Sequence, residues 1–196
     1  SMRRIDMILT AEPQAETSAP KHPKTCDVSF ENVTFEYENT DHPAVSHLSF
    51  TAKAGTTTAL VGHSGSGKST TASLIPRFYD VQQGAVKIGG VDIREIPHAD
   101  LMKMVAFVFQ DPKLFKDTLL ENIRAGRPSA TRDEVLQAAR LAQCDDILEK
   151  FPDGLDSVVG SKGVYLSGGE TQRIATARAI LKDAPIVVLD EATAYA

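Results

Sequence analysis

The sequence has few cysteines, no tryptophan and no long apolar run. Cys26 and Cys144 are its only cysteines, which excludes a disulfide-stabilised secreted scaffold and favours free thiols in a reducing compartment. The longest clean apolar run, residues 104–109, is far shorter than the roughly 18 residues of a membrane-spanning helix. No run of five or more Lys and Arg occurs and the net charge is −5, so a nucleic-acid-binding surface is not expected.

The most informative segment is a glycine-rich run at residues 62–69, which fits the pattern G-x-x-x-x-G-K-[ST]. A β-branched stretch at 57–61 predicts a strand before it, and apolar spacing predicts a helix over 70–79 after it. A glycine loop in this context directs main-chain N–H groups at phosphate oxygens, whereas a flexible Gly/Ser linker would lack the flanking elements. We expect Lys68 to reach the β- and γ-phosphates and Ser69 to ligate Mg²⁺. The residues assigned to phosphate binding are Gly62, His63, Ser64, Gly65, Ser66, Gly67, Lys68, Ser69 and Thr70.

An acidic pair follows a second apolar strand pattern. Residues 186–189 are Ile-Val-Val-Leu, and Asp190 and Glu191 come next. Ligands of α/β sheets bind at the carboxyl ends of the strands, so Asp190 is predicted to hold Mg²⁺ and Glu191 to orient or deprotonate an attacking water. The alternative is that both residues cap a following helix. A phosphate loop in the same chain disfavours it, because magnesium–nucleotide chemistry needs a carboxylate there.

Two capping boxes mark helix starts in the second half of the chain. Residues 131–134 read Thr-Arg-Asp-Glu, and residues 167–170 read Ser-Gly-Gly-Glu. The second box forms the start of a helix that is predicted over 168–182. Adjacent glycines are poor helix formers, but they leave main-chain N–H groups bare. The second box therefore predicts another anion-binding helix terminus, with a plain capped helix start as the alternative.

These motifs together resemble the nucleotide-binding domain of ABC (ATP-binding cassette) transporters. The phosphate loop, Gln110 at a strand end, Leu-Ser-Gly-Gly at 166–169 and the acidic strand at 187–193 stand in the order and spacing of that family. Finer matches resemble the exporter type, whose membrane helices are fused to the ATPase: residues 77–80, 110–115 and 118–123. The resemblance covers residues 26–196.

The resemblance implies an α/β fold with a P-loop NTPase (RecA-like) core, an N-terminal antiparallel β subdomain and an inserted α-helical subdomain. Residues 1–25 are expected to be a linker after a membrane domain. Residues 26–112 and 171–196 would form the ATP-binding core with its β subdomain. Residues 113–170 would form the helical subdomain, which ends in the signature segment, Leu-Ser-Gly-Gly-Glu at 166–170.

Further site residues follow from the resemblance. Tyr37 matches an aromatic side chain that stacks on adenine, although it could instead be an inward-facing strand aromatic. Gln110 matches a glutamine that contacts Mg²⁺ or the attacking water, although it could simply cap a strand. Ser167, Gly168 and Gly169 match the segment that closes on ATP held by a second subunit.

The implied function is an ATP-binding and ATP-hydrolysing motor domain that drives transmembrane transport through ATP-dependent dimerisation. Glu191, Lys68 and Gln110 would be catalytic, and Ser69, Gln110 and Asp190 would bind the metal; the cofactors are ATP and Mg²⁺. The implied partners are a second nucleotide-binding domain, packed head to tail, and a transmembrane domain of the same polypeptide, at the cytoplasmic face of the membrane.

Three alternatives are weaker. A soluble ABC ATPase would show basic patches or coiled-coil insertions, and a P-loop kinase or GTPase would not need the signature segment. A binding module without turnover is disfavoured by Glu191, although the 196-residue chain could behave as one.

The chain departs from the family pattern in three places. Glu170 stands where glutamine is usual and weakens the positive potential offered to a phosphate, but we expect this change to be tolerated. Ser161 stands where glutamate is frequent, in a loop that touches membrane-domain helices. The family also continues beyond residue 196 with a strand that carries a histidine. That strand should lie between residues 57–61 and the Asp190 strand, so a gap is expected there, with weak nucleotide binding and negligible turnover.

Overall fold

The computed structural model describes residues 10, 14–38, 40–160 and 165–190. Ser161 and Glu191 therefore lie outside the described residues. The strands are β1 (Val28–Phe35), β2 (Val45–Ala52), β3 (Gln83–Ile88), β4 (Val91–Asp92), β5 (Val105–Val108) and β6 (Ile186–Leu189). The helices are α1 (Lys68–Leu74), α2 (His98–Met104), α3 (Leu119–Arg124), α4 (Arg132–Leu141), α5 (Asp145–Lys150) and α6 (Gly168–Lys182). Short 3₁₀ turns span Ile93–Glu95 and Gly154–Asp156.

The strands form two sheets of different kinds. The first sheet is antiparallel in the order β2-β1-β3-β4, whereas β5 and β6 pair in parallel. In the parallel pair, Val105 lies opposite Ile186 and Val108 lies opposite Leu189. This arrangement confirms the predicted mixed α/β fold with an N-terminal antiparallel region, and it places the carboxyl ends of β5 and β6 side by side.

Apolar side chains form two main clusters, and α6 connects the helical one to the parallel sheet. One cluster joins the antiparallel sheet to α1, α2 and the parallel strands, and its fully buried side chains include Phe30, Leu74, Ile88 and Leu101. The other lies among the helices and includes Leu119, Ile123, Val135, Ile147 and Ile174. Each such side chain contributes roughly 2 kcal/mol relative to exposure.

Helix α6 uses two faces. Its Ile174 packs in the helical cluster, whereas Ala175 and Ala179 pack on Ala106 and Val108 of β5. The start of α6 is thereby fixed relative to the carboxyl end of β5. The predicted boundary between residues 170 and 171 falls inside this helix, and the division into subdomains stays a prediction.

The strand predicted at residues 57–61 does not form, and this prediction was wrong. Val61 is 92% exposed, and a cavity of about 500 Å³ separates residues 58–60 from β6. Within the described part of the chain, β6 pairs with β5 alone. A strand needs partners for its main-chain groups, and the described strands offer none to residues 57–61.

Helix α1 ends earlier than predicted. It stops at Leu74 instead of continuing to residue 79. Ile75 keeps right-handed helical angles, but Pro76 has no main-chain N–H to continue the hydrogen-bond ladder, and Arg77 adopts a left-handed φ of 58°. The prediction followed apolar spacing and underweighted the proline.

The segment before β1 lies against the core. Arg77 Nη2 donates to the Ala15 carbonyl at 3.1 Å. The Lys21 main-chain N–H donates to the Glu95 carbonyl at 2.8 Å, and its ammonium pairs with the Glu95 carboxylate at 2.7 Å. These contacts fix the described residues of the predicted linker along one side of the first cluster.

Candidate nucleotide-binding site

The glycine loop has a backbone that only glycine adopts without strain at two of its positions. Gly65 and Gly67 have φ of 80° and 84°, in the left-handed region. A Cβ added at Gly67 would lie 2.3 Å from the Ala44 carbonyl oxygen, and one at Gly62 would lie 2.6 Å from Ser66 Oγ. The loop is therefore packed against backbone too closely for a side chain at 67, whereas at 62 the neighbouring atom belongs to the Ser66 side chain, which can rotate. Its tight curvature leads the chain directly into α1.

Lys68 closes the loop through its ammonium group. Its Nζ donates to the carbonyls of Gly62 at 3.0 Å and His63 at 2.8 Å. These are neutral acceptors at an exposed position, so phosphate oxygens, which bind an ammonium more strongly, can replace them. The side chain is thus already directed at the loop that should hold the phosphates.

The structure brings Ser69 and Asp190 together from distant parts of the chain. Ser69 Oγ donates to Asp190 Oδ1 at 2.8 Å, and the main-chain N–H of Asp190 donates to the Val108 carbonyl at 3.0 Å. The second bond holds the tip of β6 against β5. A hydroxyl and a carboxylate oxygen therefore meet beside the start of α1, and their assignment to metal binding stays a prediction.

This oxygen pair fits a magnesium ion that is bound together with a nucleotide. The described residues contain no group of three or more His, Cys, Asp or Glu side chains that could hold a metal. Mg²⁺ bound to nucleotides needs only one or two protein ligands, since phosphates and waters supply the rest. The chemistry of Ser69 and Asp190 matches that requirement.

Tyr37 lies beside the phosphate-loop helix. Its hydroxyl is 3.1 Å from Thr70 Oγ1, and its ring packs edge-on against Phe35 and Tyr79, with centroids at 4.8 and 5.2 Å. The contact with Thr70 suits adenine stacking, and the contact with Phe35 suits the alternative of an inward strand aromatic. The adenine role stays a prediction.

Gln110 follows the carboxyl end of β5, and a neighbouring contact fixes that end. Gln172 on α6 donates its side-chain N–H to the Phe109 carbonyl at 3.3 Å. Gln172 is buried, and its Oε1 has no hydrogen-bond partner within the described residues. It connects the signature helix to the residue before Gln110. The sequence analysis missed it, although an amide on the helix face that also carries Ala175 and Ala179 was a usable signal.

The signature segment forms the predicted capping box. Ser167 Oγ accepts from the Glu170 main-chain N–H at 3.2 Å, and Glu170 Oε2 accepts from the Ser167 main-chain N–H at 2.6 Å. Lys150 Nζ donates to the other carboxylate oxygen of Glu170 at 2.8 Å. The Lys150 hydrogen bond, followed by the Ser167 N–H, lowers the pKa of Glu170. Nothing in the sequence analysis indicated Lys150.

The predicted site has two parts, and within one chain the signature segment does not line the cavity beside Lys68. The cavity beside β6 is lined by Lys68 and Asp190, and residues 167–169 are not part of its lining. Within the described residues, the side-chain hydrogen bonds of Ser167 and Glu170 connect them to each other and to Lys150. One chain therefore presents a phosphate loop with its acidic strand and, separately, a capped helix start.

The helices in the described part of the chain lack the length and apolar character needed to cross a membrane. Residues 45–194 match the sequence profile of a protein family described as "ABC transporter". The chain is 51% identical over 170 residues to the "ATP-dependent lipid A-core flippase" of Escherichia coli (strain K12), covering 86% of this chain and 29% of the flippase. The flippase of Shigella flexneri gives the same values.

A solved structure is also similar over almost the whole chain. It is titled "Structure of a bacterial Atm1-family ABC exporter with ATP bound", and it superposes with a TM-score of 0.89 at 41% sequence identity. The similarity covers 99% of this chain and 34% of that one. This chain therefore spans about a third or less of the proteins it resembles.

Proposed function

This chain belongs to the ABC transporter family, and from that membership we propose that it is the ATP-hydrolysing motor domain of a longer, exporter-type transporter. The observation that carries the proposal is the contact of Ser69 with Asp190 beside the Lys68 loop. That contact brings together groups that we propose to bind phosphate and metal. The family itself binds ATP, and the residues at this place have the chemistry that ATP requires.

The triphosphate would be held mainly by the loop at residues 62–69. Main-chain N–H groups and the α1 terminus would bind phosphate oxygens, and Lys68 would exchange its loop carbonyls for the β- and γ-phosphates. Ser69 and Asp190, with Gln110, would hold Mg²⁺, which neutralises phosphate charge. Tyr37 would stack on the adenine ring.

Hydrolysis needs a water placed in line with the γ-phosphate. Glu191, directly after Asp190 at the carboxyl end of β6, is proposed to orient or deprotonate that water. Gln110 at the end of β5 would help to position it. The parallel pairing of β5 and β6 supports this proposal, because it places the ends of both strands at one edge.

A second copy of the domain would complete the site. Ser167, Gly168 and Gly169 are proposed to bind the γ-phosphate of ATP held by another chain, in a head-to-tail dimer. The absence of residues 167–169 from the lining of the cavity beside Lys68 supports this arrangement. Binding of ATP would then close two domains, and hydrolysis would let them separate.

The transmembrane part is proposed to belong to the same polypeptide, with this domain at its cytoplasmic face. The flippase relative is covered for only 29% of its length, so most of such a transporter lies outside this chain. One relative is named for lipid A-core and the similar structure for an Atm1-family exporter. We therefore assign no transported substrate to the shared ATPase domain.

The 196-residue chain itself is a candidate ATP-binding module without turnover. The cavity between residues 58–60 and β6 favours this reading, because residues 57–61, which lead into the phosphate loop, pair with none of the strands that the structure describes. Loose anchoring of the loop would weaken nucleotide binding.

Substitution of Glu191 by Gln in the full-length protein tests the proposal. Removing the carboxylate should lower ATP hydrolysis by about 100-fold or more, in line with the loss of a general base. ATP binding should persist and the domains should stay closed. Hydrolysis is measured by phosphate release, and closure by crosslinking or light scattering with Mg-ATP.

The matched control for that test is Glu149→Gln, at an exposed position of α5. It should leave hydrolysis within about twofold of the unmodified protein. Unchanged hydrolysis in Glu191→Gln would remove Glu191 from the proposed role, and absence of any ATP hydrolysis in the unmodified full-length protein would refute the motor function.

A further inference from the structure

Glu170 places a negative charge in the first turn of α6, beside the glycines proposed to bind phosphate. A carboxylate there stabilises the helix, because it faces the positive end of the helix dipole. The same charge repels a phosphate that approaches this end. In an ABC domain where glutamine usually stands at this position, something has to offset the charge if the segment is to bind an anion.

The capping box determines which donors remain at the helix start. The first main-chain N–H groups of an α-helix have no partner within the helix. Here Glu170 Oε2 accepts from the Ser167 N–H, and Ser167 Oγ accepts from the Glu170 N–H. The N–H groups of Gly168 and Gly169, between them, are the first-turn donors that the box does not use. Glu170 therefore keeps the donors in place while its charge opposes their ligand.

Lys150 is positioned to offset that charge. It is the last residue of α5, and its Nζ lies 2.8 Å from Glu170 Oε1. The Glu170 side chain is only 14% exposed, compared with 48% for Lys150. Because the carboxylate is largely shielded from water, the ammonium is the group that neutralises it most directly.

A separate ion pair holds the two helices together. Arg173 on α6 makes two hydrogen bonds with Asp146 on α5, at 2.6 and 2.8 Å. Ile147 and Ile174 also pack in the same apolar cluster. The contact of Lys150 with Glu170 is therefore not needed to dock α5 on α6, and its removal should leave the helices packed.

We propose that Lys150 is a positioning residue for nucleotide binding between two copies of the domain: it cancels the charge of Glu170 so that the N–H groups of Gly168 and Gly169 can donate to a phosphate. The inference rests on the proposed function, since the phosphate belongs to ATP bound by the other copy. Lys150 does not touch the nucleotide and acts only through Glu170. Its role concerns dimer closure and not the binding of ATP to one chain.

The test uses the full-length protein that carries Glu191→Gln. The quantity measured is the ATP concentration that gives half-maximal dimer closure at low salt. Lys150→Met should raise this concentration about tenfold, because the unpaired negative charge of Glu170 then repels the phosphate that must bind beside it. Lys150→Arg should stay within about twofold. Adding Glu170→Gln to Lys150→Met should restore the original value, because glutamine retains the capping box without the charge.

Two controls separate electrostatics from structure. Lys103→Met removes a more exposed lysine (77%), 3.1 Å from Asp100 and outside α5 and α6, and should change nothing. Fluorescent ATP binding to dilute, monomeric protein should be unaffected by Lys150→Met. The tenfold shift should shrink only partly as salt is raised, because the Glu170 carboxylate is largely shielded from water.

The outcomes distinguish this inference from the proposed function. An unchanged half-closure concentration in Lys150→Met overturns the role of Lys150, as does a defect that Glu170→Gln fails to relieve. Absence of ATP-dependent closure with the native Lys150 overturns the proposed function, and this inference with it.

Discussion

At the residue scale, Gly67 is constrained both by its backbone angle and by its neighbours. Replacement by alanine puts a Cβ at a φ of 84° and 2.3 Å from the Ala44 carbonyl oxygen. The loop must move to relieve this contact, which misplaces the donors of the phosphate site. We expect Gly67→Ala to weaken ATP binding by about 100-fold or more, the effect of losing two or more hydrogen bonds to a charged ligand. Titration with a fluorescent ATP analogue measures it.

Gly90 offers a matched control for that substitution. Its φ is 80°, and a Cβ there meets no atom within 4 Å. Gly90→Ala should therefore cost only the left-handed backbone penalty, about 1 kcal/mol of stability, and leave ATP affinity unchanged. Equal ATP affinity in Gly67→Ala and the unmodified protein would contradict the packing argument.

Residues within the phosphate loop could be predicted from the sequence because the loop geometry is local. Ser69 and Asp190 could be paired because the end of a buried strand and a phosphate loop share one place in this kind of fold. Lys150 could not, since its contact with Glu170 is fixed by the packing of α5 on α6. For Gln172 the sequence offered an amide on the face of Ala175 and Ala179, but its partner Phe109 is fixed by the packing of α6 on β5. The sequence does not encode that packing in any short motif.

At the element scale, the capping box at the start of α4 is a stability determinant. Thr131 Oγ1 accepts from the Glu134 N–H at 3.3 Å, and Glu134 Oε2 accepts from the Thr131 N–H at 2.7 Å. Thr131→Ala should lower the free energy of unfolding by about 1 kcal/mol, because one first-turn N–H loses its partner. Urea denaturation followed by circular dichroism gives the value.

Thr176→Ala is the matched control for the α4 cap. Thr176 lies inside α6, and its hydroxyl donates to the Gln172 carbonyl, which already belongs to the helix ladder. Its loss should change stability by less than about 0.5 kcal/mol. If the two alanine variants lost equal stability, the cap would have no special role.

The elements differ in how far local sequence determines them. Both capping boxes were predicted correctly, since each is complete within four residues. The strand at 57–61 was predicted from β-branched residues alone, yet a strand depends on partners that come from elsewhere in the chain. Its failure to form shows that β-propensity without a neighbouring strand does not suffice.

At the scale of the whole molecule, several carboxyl groups, in the N-terminal and the C-terminal half of the chain, have pKa values below the ordinary value for their residue type. The Ala54 N–H and the Thr25 hydroxyl lower the pKa of Asp27, Arg173 lowers the pKa of Asp146, and Arg132 lowers the pKa of Asp156. Each carboxylate is thus stabilised in its charged form by a native contact. Protonation must weaken the fold at several separate places.

The sign of the resulting pH dependence follows from proton binding. Asp146 has an ordinary pKa of 3.8 and Glu170 one of 4.5, and both are lowered in the folded chain. The unfolded chain therefore binds more protons in this window, so stability is complete above about pH 5 and falls as the pH drops through the folded pKa values. The urea midpoint should stay level from pH 7 to about 5 and then fall steadily toward pH 3.

Asp146→Asn tests whether native ion pairs cause this acid sensitivity. The variant loses the charge that pairs with Arg173, so it should be less stable than the unmodified chain at pH 7. Because it has one fewer carboxylate to protonate, its stability should fall less between pH 5 and pH 3, and the two curves should converge. Curves that remain parallel down to pH 3 would show that Asp146 titrates alike in the folded and unfolded chains, and the acid loss would then have to arise elsewhere.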